Sequence, residues 1–350
     1  MIDGVGAARR LALNMARFSG VAPLVAPFLS GVGAILMLHR VNRERTPLGL
    51  NNHLTVTPEF LDELLTDLKR SDYSFVSMDE AVENIVSGRG SRFIAITADD
   101  AYRDIATDAL PVLRAHSAPI TIYVAPGLTD GKITPWWDAL EEIVTRADRI
   151  ELESVSGPVK IETASPDQKR SANRRLELLL TSKIKEEDRQ AALSRLARSA
   201  GVDLAALSRQ AFMDWQELAV LAGDPLVTIG AHTVNHYFLR RLSQEEALCE
   251  IADASTLLRE RLGAAPSHMA YPYGYERAVG PREVALAREA GFRSAVTTRH
   301  GVLQTGHGEH LHALPRISLN GRYQNVGYVR TMLSGVTTAM ANRGRRLVTV

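Results

Sequence analysis

Short apolar runs alternate along this chain with stretches in which apolar residues recur every three or four positions, the pattern of strands followed by helices in a mostly parallel sheet. The first run, AILML at 34–38, ends at His39. Thr57 then stands as an N-cap before Pro58, and Phe60, Leu61, Leu64, Leu65 and Leu68 form one apolar stripe, so a helix starts there. Further strands are expected at YSFVSM (73–78), FIAITA (93–98), PITIYVA (119–125), LVTIGAH (226–232), MAYPYG (269–274), FRSAVTT (292–298) and LPRISL (314–319). Between them lie a short helix opened by Asp79, one running through Ala109 to Ala115, and two over 243–262 and 281–290. The region 132–226 breaks the alternation: it begins TPWWDALEEIV, continues in charged helical segments and reads as a mainly helical insertion.

This reading divides the chain into an N-terminal segment (1–33), an α/β unit over 34–322 that includes the insertion, and a C-terminal tail (323–350), basic and loosely held after about 335. Between Arg17 and His39 runs an uncharged stretch long enough to cross a bilayer, but Pro23, Pro27, Gly31 and Gly33 interrupt it. Arg9, Arg10 and Arg17 precede it as in a signal peptide, yet no clean small-residue cleavage site follows. The expectation is a soluble, uncleaved, cytoplasmic protein, with peripheral membrane contact through this segment as the rival.

The 350 residues are 45% hydrophobic and 23% charged, ordinary values for a globular chain. Forty-one basic and 40 acidic residues leave a formal charge of +1, so no global field draws nucleic acid. A neutral or weakly charged substrate is the more natural partner. The single cysteine, Cys249, excludes an intrachain disulfide and suits a reducing compartment.

Three polar clusters fall where strands end, the side on which α/β sheets and barrels place their active sites. Asp99-Asp100 sets two carboxylates side by side; either a nearby cation keeps one ionised, or one caps the next helix and the other is solvated. His232-Thr-Val-Asn-His236 spaces two imidazoles at i, i+4, which would put both on one face of a helical turn. An isolated histidine is more often a structural hydrogen-bonder. Two imidazoles with a carboxylate from another strand end make a set that leaves positions open for water and substrate, as a catalytic metal requires. His39, followed by Arg40, is a candidate proton donor by its strand-end position.

At these residues the sequence resembles the polysaccharide deacetylases, the NodB-homology group or carbohydrate esterase family four. TADD is similar to that family's first motif, HTVNH to its second and YPYG to the end of its third, and AREAGFRSAVTTRHG to the stretch downstream. The early LMLHRV, followed by HLTVTPEFLDELLTDLKRSDYSFVSMDEAV, resembles the circularly permuted branch. The similarity covers about 34–131 and 226–320.

The resemblance implies a distorted (β/α)7-type barrel and a metal-dependent hydrolase that removes N-acetyl groups from an N-acetylhexosamine-containing polysaccharide or oligosaccharide. It implies Asp99 as general base, Asp100, His232 and His236 as ligands of a divalent metal ion, usually Zn2+, and His39 as general acid. The Tyr273 backbone N–H would help bind the oxyanion. Tyr271, Tyr273 and Trp136 or Trp137 are candidates to pack on sugar rings, although aromatic residues are more often core. Ala101 stands in place of the family's glycine, so the turn there must accept a β-carbon. Ala270 stands where many members have an arginine that orients the base; Arg316 either supplies that cation or is a surface residue. The alternatives are another amide or ester hydrolase on the same barrel (a ureide or O-acetyl substrate), or a non-catalytic carbohydrate-binding relative.

Overall fold

Eight parallel strands carry the fold: β1 (Gly33–Leu38), β2 (Ser74–Val76), β3 (Phe93–Ala98), β4 (Ile120–Val124), β5 (Val227–Ala231), β6 (His268–Ala270), β7 (Ser294–His300) and β8 (Leu314–Ser318). The structure, a computed structural model, describes residues 10–11, 13–18, 20–44, 46, 48–88, 92–152 and 159–350. β1 pairs with β8 on one side and with β3 on the other, from Gly33↔Phe93 to Leu38↔Ala98. Seven strands therefore close into a ring in the order β1-β8-β7-β6-β5-β4-β3, the (β/α)7-type barrel expected. β2 lies outside the ring, pairing with Phe93–Ala95 of β3 before β4 takes over that edge at Ile96–Ala98.

Alternate residues along each strand face opposite ways, and the two sets separate cleanly. Ala34, Leu36, Leu38, Ile94, Ile96, Ala98, Ile120, Ile122 and Val124 pack in the large cluster under the surrounding helices. The other set, Ile35, Phe93, Ala95, Tyr123, Ala270, Val296 and Leu314, fills the barrel interior. Met78, Ala81 and Ile85 of the helix Met78–Ser87 belong to that interior cluster, so this helix plugs the amino-terminal mouth. Gly230 has the inward parity, and a Cβ there would stand 2.4 Å from a ring carbon of Tyr123; glycine leaves room for that ring.

Several boundaries differ from the sequence reading for local reasons. The plug helix starts at Met78, because Ser77 and Glu80 form a reciprocal capping box in front of it. β6 stops at Ala270, since Pro272 offers no N–H and Tyr273 turns to φ 63°. Within the insertion, helices Trp136–Arg146, Pro166–Ser182, Arg189–Ser199 and Leu204–Ala211 come together. Leu140, Ile143, Leu176, Leu180, Leu193 and Leu196 form a core of their own there. An antiparallel pair, Arg149–Leu152 with Val159–Glu162, adds a strand element to an insertion expected to be mainly helical. The helix Trp215–Ala222 instead packs Leu218 and Leu221 into the barrel's cluster.

The tail is held rather than loose. Helices Val326–Leu333 and Val336–Ala341 dock, Thr338 and Val348 are buried, and the Thr349 carbonyl accepts from Arg299. At the other end, helix Val21–Leu29 exposes Leu24 and Phe28, and no described helix is long and apolar enough to cross a membrane.

Candidate active site

The inward parity of the strands, continued one step past their carboxyl ends, delivers the site. Ile35 and Met37 lead to His39; Phe93, Ala95 and Thr97 lead to Asp99; Thr228 and Gly230 lead to His232; Leu314 leads to Arg316. These side chains converge at the top of the barrel, where His39, Asp99, Asp100, His232, His236 and Tyr273 line one cleft of about 920 Å³.

Arg316 is a counter-ion inside the barrel, not a surface residue: it is 1% exposed. Its guanidinium forks onto Asp99, with Nη1 2.7 Å from Oδ1 and Nη2 2.6 Å from Oδ2. Nε donates to the Thr297 carbonyl and Nη1 also to Thr97 Oγ1, which leaves the group no rotational freedom. Burial is the largest influence on Asp99 and pushes its carboxyl up. The charge and hydrogen bonds of Arg316, helped by His232 and His39, outweigh it and hold Asp99 ionised, below the usual carboxylate range. His39 Nε2 lies 4.0 Å from Asp99 Oδ2, beyond hydrogen-bonding distance. Burial lowers the His39 pKa to about 4 against the pull of Asp99, so the imidazole is neutral at rest.

Asp100 faces away from that pair. Its Oδ1 is 3.5 Å from His232 Nε2 and 3.3 Å from His236 Nε2, and the three ligand atoms lie within 4.8 Å of one another. Asp100 Oδ1 is buried with no hydrogen-bond partner among the described residues. His232 Nδ1 sits 2.7 Å from the Ala270 carbonyl and donates to it as the neutral ring, which turns the Nε2 lone pair towards Asp100. Burial, then Asp99 and Asp138, raises the Asp100 carboxyl well above its ordinary range, and burial lowers both imidazoles. An orphaned carboxylate oxygen facing two imidazole lone pairs is a donor set that fits a divalent cation, which would restore the ionised carboxylate.

A loop, not a helix, brings the two histidines together. Residues 232–236 are non-helical, with Thr233 at φ 57° and His236 at φ 52°, so the helical-turn expectation is corrected. Glu250 ties the loop down, accepting from the N–H of Asn235 at 2.8 Å and from its side-chain amide at 2.6 Å. Asp100 (φ 71°), Ala101 (φ 58°) and Tyr273 (φ 63°) are left-handed as well. Five of the eight described non-glycine residues with positive φ thus sit at this site, where surrounding contacts must hold the strain. Ala101 does accept the turn its β-carbon opposes.

The insertion supplies one wall. Trp137 packs on His236 with ring centroids 5.2 Å apart, and Trp136 stands edge-on to Trp137. Trp137 Nε1 donates to Tyr102 Oη, which donates to Asp138, a carboxyl raised to about 6 by burial. Tyr273 Oη accepts from Trp136 Nε1 at 3.0 Å and from Arg189 Nη1 at 3.2 Å, while its backbone N–H has no partner among the described residues. Buried Glu186 holds Arg189 and Arg241 and also accepts from the Phe238 N–H, joining the insertion to the loop that follows His236. Sequence reasoning found none of Tyr102, Asp138, Glu186, Arg189 or Glu250, because each acts through a partner distant in sequence. Tyr271 does not line the cleft: it is fully buried in the core and donates to the His312 carbonyl, so its expected sugar contact is corrected.

A model of the family described as polysaccharide deacetylase matches residues 204–295, the segment containing HTVNH and YPYG. The chain is similar in structure to the Streptococcus pyogenes deacetylase PplD, solved with acetate: TM-score 0.57, 18% identity, 85% of this chain and 97% of that one. IcaB from Ammonifex degensii gives 0.54 and 16%, over 86% and 97% of the two chains. BC0361, a polysaccharide deacetylase from Bacillus cereus, gives 0.52 and 16%, over 86% and 68%. A comparison with curated proteins found no match. The motif resemblance is thus supported at two levels: the family model matches the segment 204–295, and the barrel fold is shared with solved deacetylases.

Proposed function

We propose that the protein is a metal-dependent N-deacetylase acting on a glycan that contains N-acetylhexosamine. One observation carries this reading: an orphaned buried carboxylate and two imidazoles converge beside a second carboxylate that an arginine holds ionised. Asp100, His232 and His236 would hold the ion, Zn2+ by resemblance. When bound, such an ion polarises the amide carbonyl and acidifies water.

Asp99, fixed by Arg316, takes the proton from the attacking water. The free Tyr273 N–H, at the turn after Pro272, faces negative charge developing on the carbonyl oxygen. His39 is neutral at rest; as charge builds beside it, it takes over the proton that Asp99 removed from the water and passes it to the departing amine. Trp136, Trp137 and Tyr273 give the sugar ring an apolar wall. The position of His39 just after the first strand accords with the permuted branch.

Acetate release from N-acetylglucosamine oligomers by the metal-loaded protein tests the reading. Release from a ureide or an O-acetyl ester instead would move the activity to another hydrolase on the same barrel. Peripheral membrane contact belongs to the same proposal, alongside a cytoplasmic location. Leu24 and Phe28 are exposed, and neither residues 4–43 nor 310–350 contain an acidic residue. Co-sedimentation with anionic vesicles, absent with neutral ones, is the expected result for that surface.

A further inference from the structure

The balanced charge of the whole chain pointed to a neutral substrate, but its charges are not evenly placed. Outside Asp99 and Asp100, the cleft is lined by six guanidinium groups, Arg170, Arg174, Arg189, Arg241, Arg277 and Arg322, against one carboxylate, Glu177. Arg189 and Arg241 are committed to buried Glu186, and Arg170 lies 3.5 Å from an Asp167 carboxylate that is 97% exposed. Arg174, Arg277 and Arg322 form no ion pair among the described residues. They come from three separate places: the insertion helix Pro166–Ser182, the loop after YPYG, and the turn after β8. In the same wall, the buried Oδ1 of Asn173 has no hydrogen-bond partner among the described residues.

Three uncommitted guanidinium groups around one concave wall focus a positive potential that a chain of net charge +1 does not otherwise have. Arginine is also the side chain whose flat fork fits carboxylate and phosphate oxygens. We propose that the cleft mouth binds an anionic group, a carboxylate or phosphate, carried by the glycan next to the N-acetylated sugar. Arg174, Arg277 and Arg322 form the subsite. This rests on the deacetylase reading and names the substrate class of the same site.

The test uses the metal-loaded full chain and three probes: a neutral N-acetylglucosamine oligomer, an alternating glucuronate–N-acetylglucosamine oligomer, and an N-acetylglucosamine pyrophosphate. Binding is measured on the Asp99→Asn protein at two salt concentrations, and acetate release on the unaltered protein. At low salt at least one anionic probe is expected to bind about tenfold more tightly than the neutral oligomer, the worth of one charge-assisted contact. That advantage should shrink with added salt. Whichever anionic probe gains most identifies uronate or phosphate as the source.

In the Arg174→Gln/Arg277→Gln protein the anionic-to-neutral ratio of kcat/KM should fall about tenfold, chiefly through KM. Metal content and thermal midpoint serve as folding controls. Equal binding of all probes, binding of none, or an anionic preference that survives in the double variant would each overturn the subsite. Anion-selective binding without acetate release would uphold it while removing the deacetylase reading. Release from neutral and charged oligomers alike would do the reverse.

Discussion

Two clusters of histidine and carboxylate occupy opposite ends of the same barrel, and their difference separates a reactive site from a staple. At the top, Asp100, His232 and His236 meet with one carboxylate oxygen unpartnered. At the bottom, fully buried His268 begins β6 beside Ser294 of β7. There Nδ1 lies 2.8 Å from Ser294 Oγ and Nε2 3.2 Å from Asp79 of the plug helix, which Arg293 also grips. An Asp–His–Ser arrangement of this kind looks like a catalytic triad on paper. Both ring nitrogens of its imidazole are satisfied, however, and the residue is fully buried. Composition does not distinguish the two ends. Unsatisfied donors and acceptors do.

The largest effects should come from the top. In Asp99→Asn the side chain keeps its shape but loses its charge, and turnover is expected to fall by about 10²–10⁴ while the metal stays bound. Full retention of activity would remove Asp99 as the base. His232→Ala should lose both bound metal, by elemental analysis, and turnover, because two donors remain of three. At an ion concentration about a hundred times its dissociation constant, the unaltered protein should gain about 2.7 kcal/mol of stability, and His232→Ala none of it. An equal thermal shift in both proteins would show that the ion binds elsewhere.

The middle-sized effect belongs to the staple. His268→Leu strands the Ser294 hydroxyl and releases Asp79 from β6, so a loss of about 1–3 kcal/mol is expected. A chain of this size then melts about 1–2 °C lower per kcal/mol. Activity per folded molecule and the metal-induced shift should both persist. A variant that keeps its melting temperature but stops releasing acetate would make the bottom cluster functional and break the contrast.

Legibility followed the same division. The alternation of runs exposed the barrel strands, and the strand-end residues His39, Asp99 and His232 were visible because parity aims them inward, with Asp100 visible as the second of two adjacent carboxylates. What stayed hidden was set by distant partners. Nothing in LPRIS says whether its arginine points out or in; the parity shared with Leu314 and the presence of Asp99 across the barrel decide it. The Trp136–Tyr273–Arg189 contact joins three segments that no periodicity links. HTVNH misled on local form, because a helical spacing and a strained loop both bring its rings together, and contacts from elsewhere, among them Glu250 of the helix Gln244–Leu262, select the loop.

The smallest effect is also the sharpest test of what the staple is. Burial lowers the His268 pKa from its ordinary 6.5, although Asp79 and its hydrogen bond pull the other way. Below pH 6.5 the unfolded chain therefore takes up this proton more readily than the folded protein does, and stability falls as the pH drops. Above pH 6.5 neither state holds the proton and the contribution is constant. His268→Leu removes the titration along with the contact. The melting-temperature gap between the two proteins should thus be widest above pH 6.5 and narrow on acidification below it. A gap that widens instead would mean that the folded protein holds His268 charged against Asp79. The bottom cluster would then be an ion pair, and saturation of a neutral ring would no longer explain why it differs from the top.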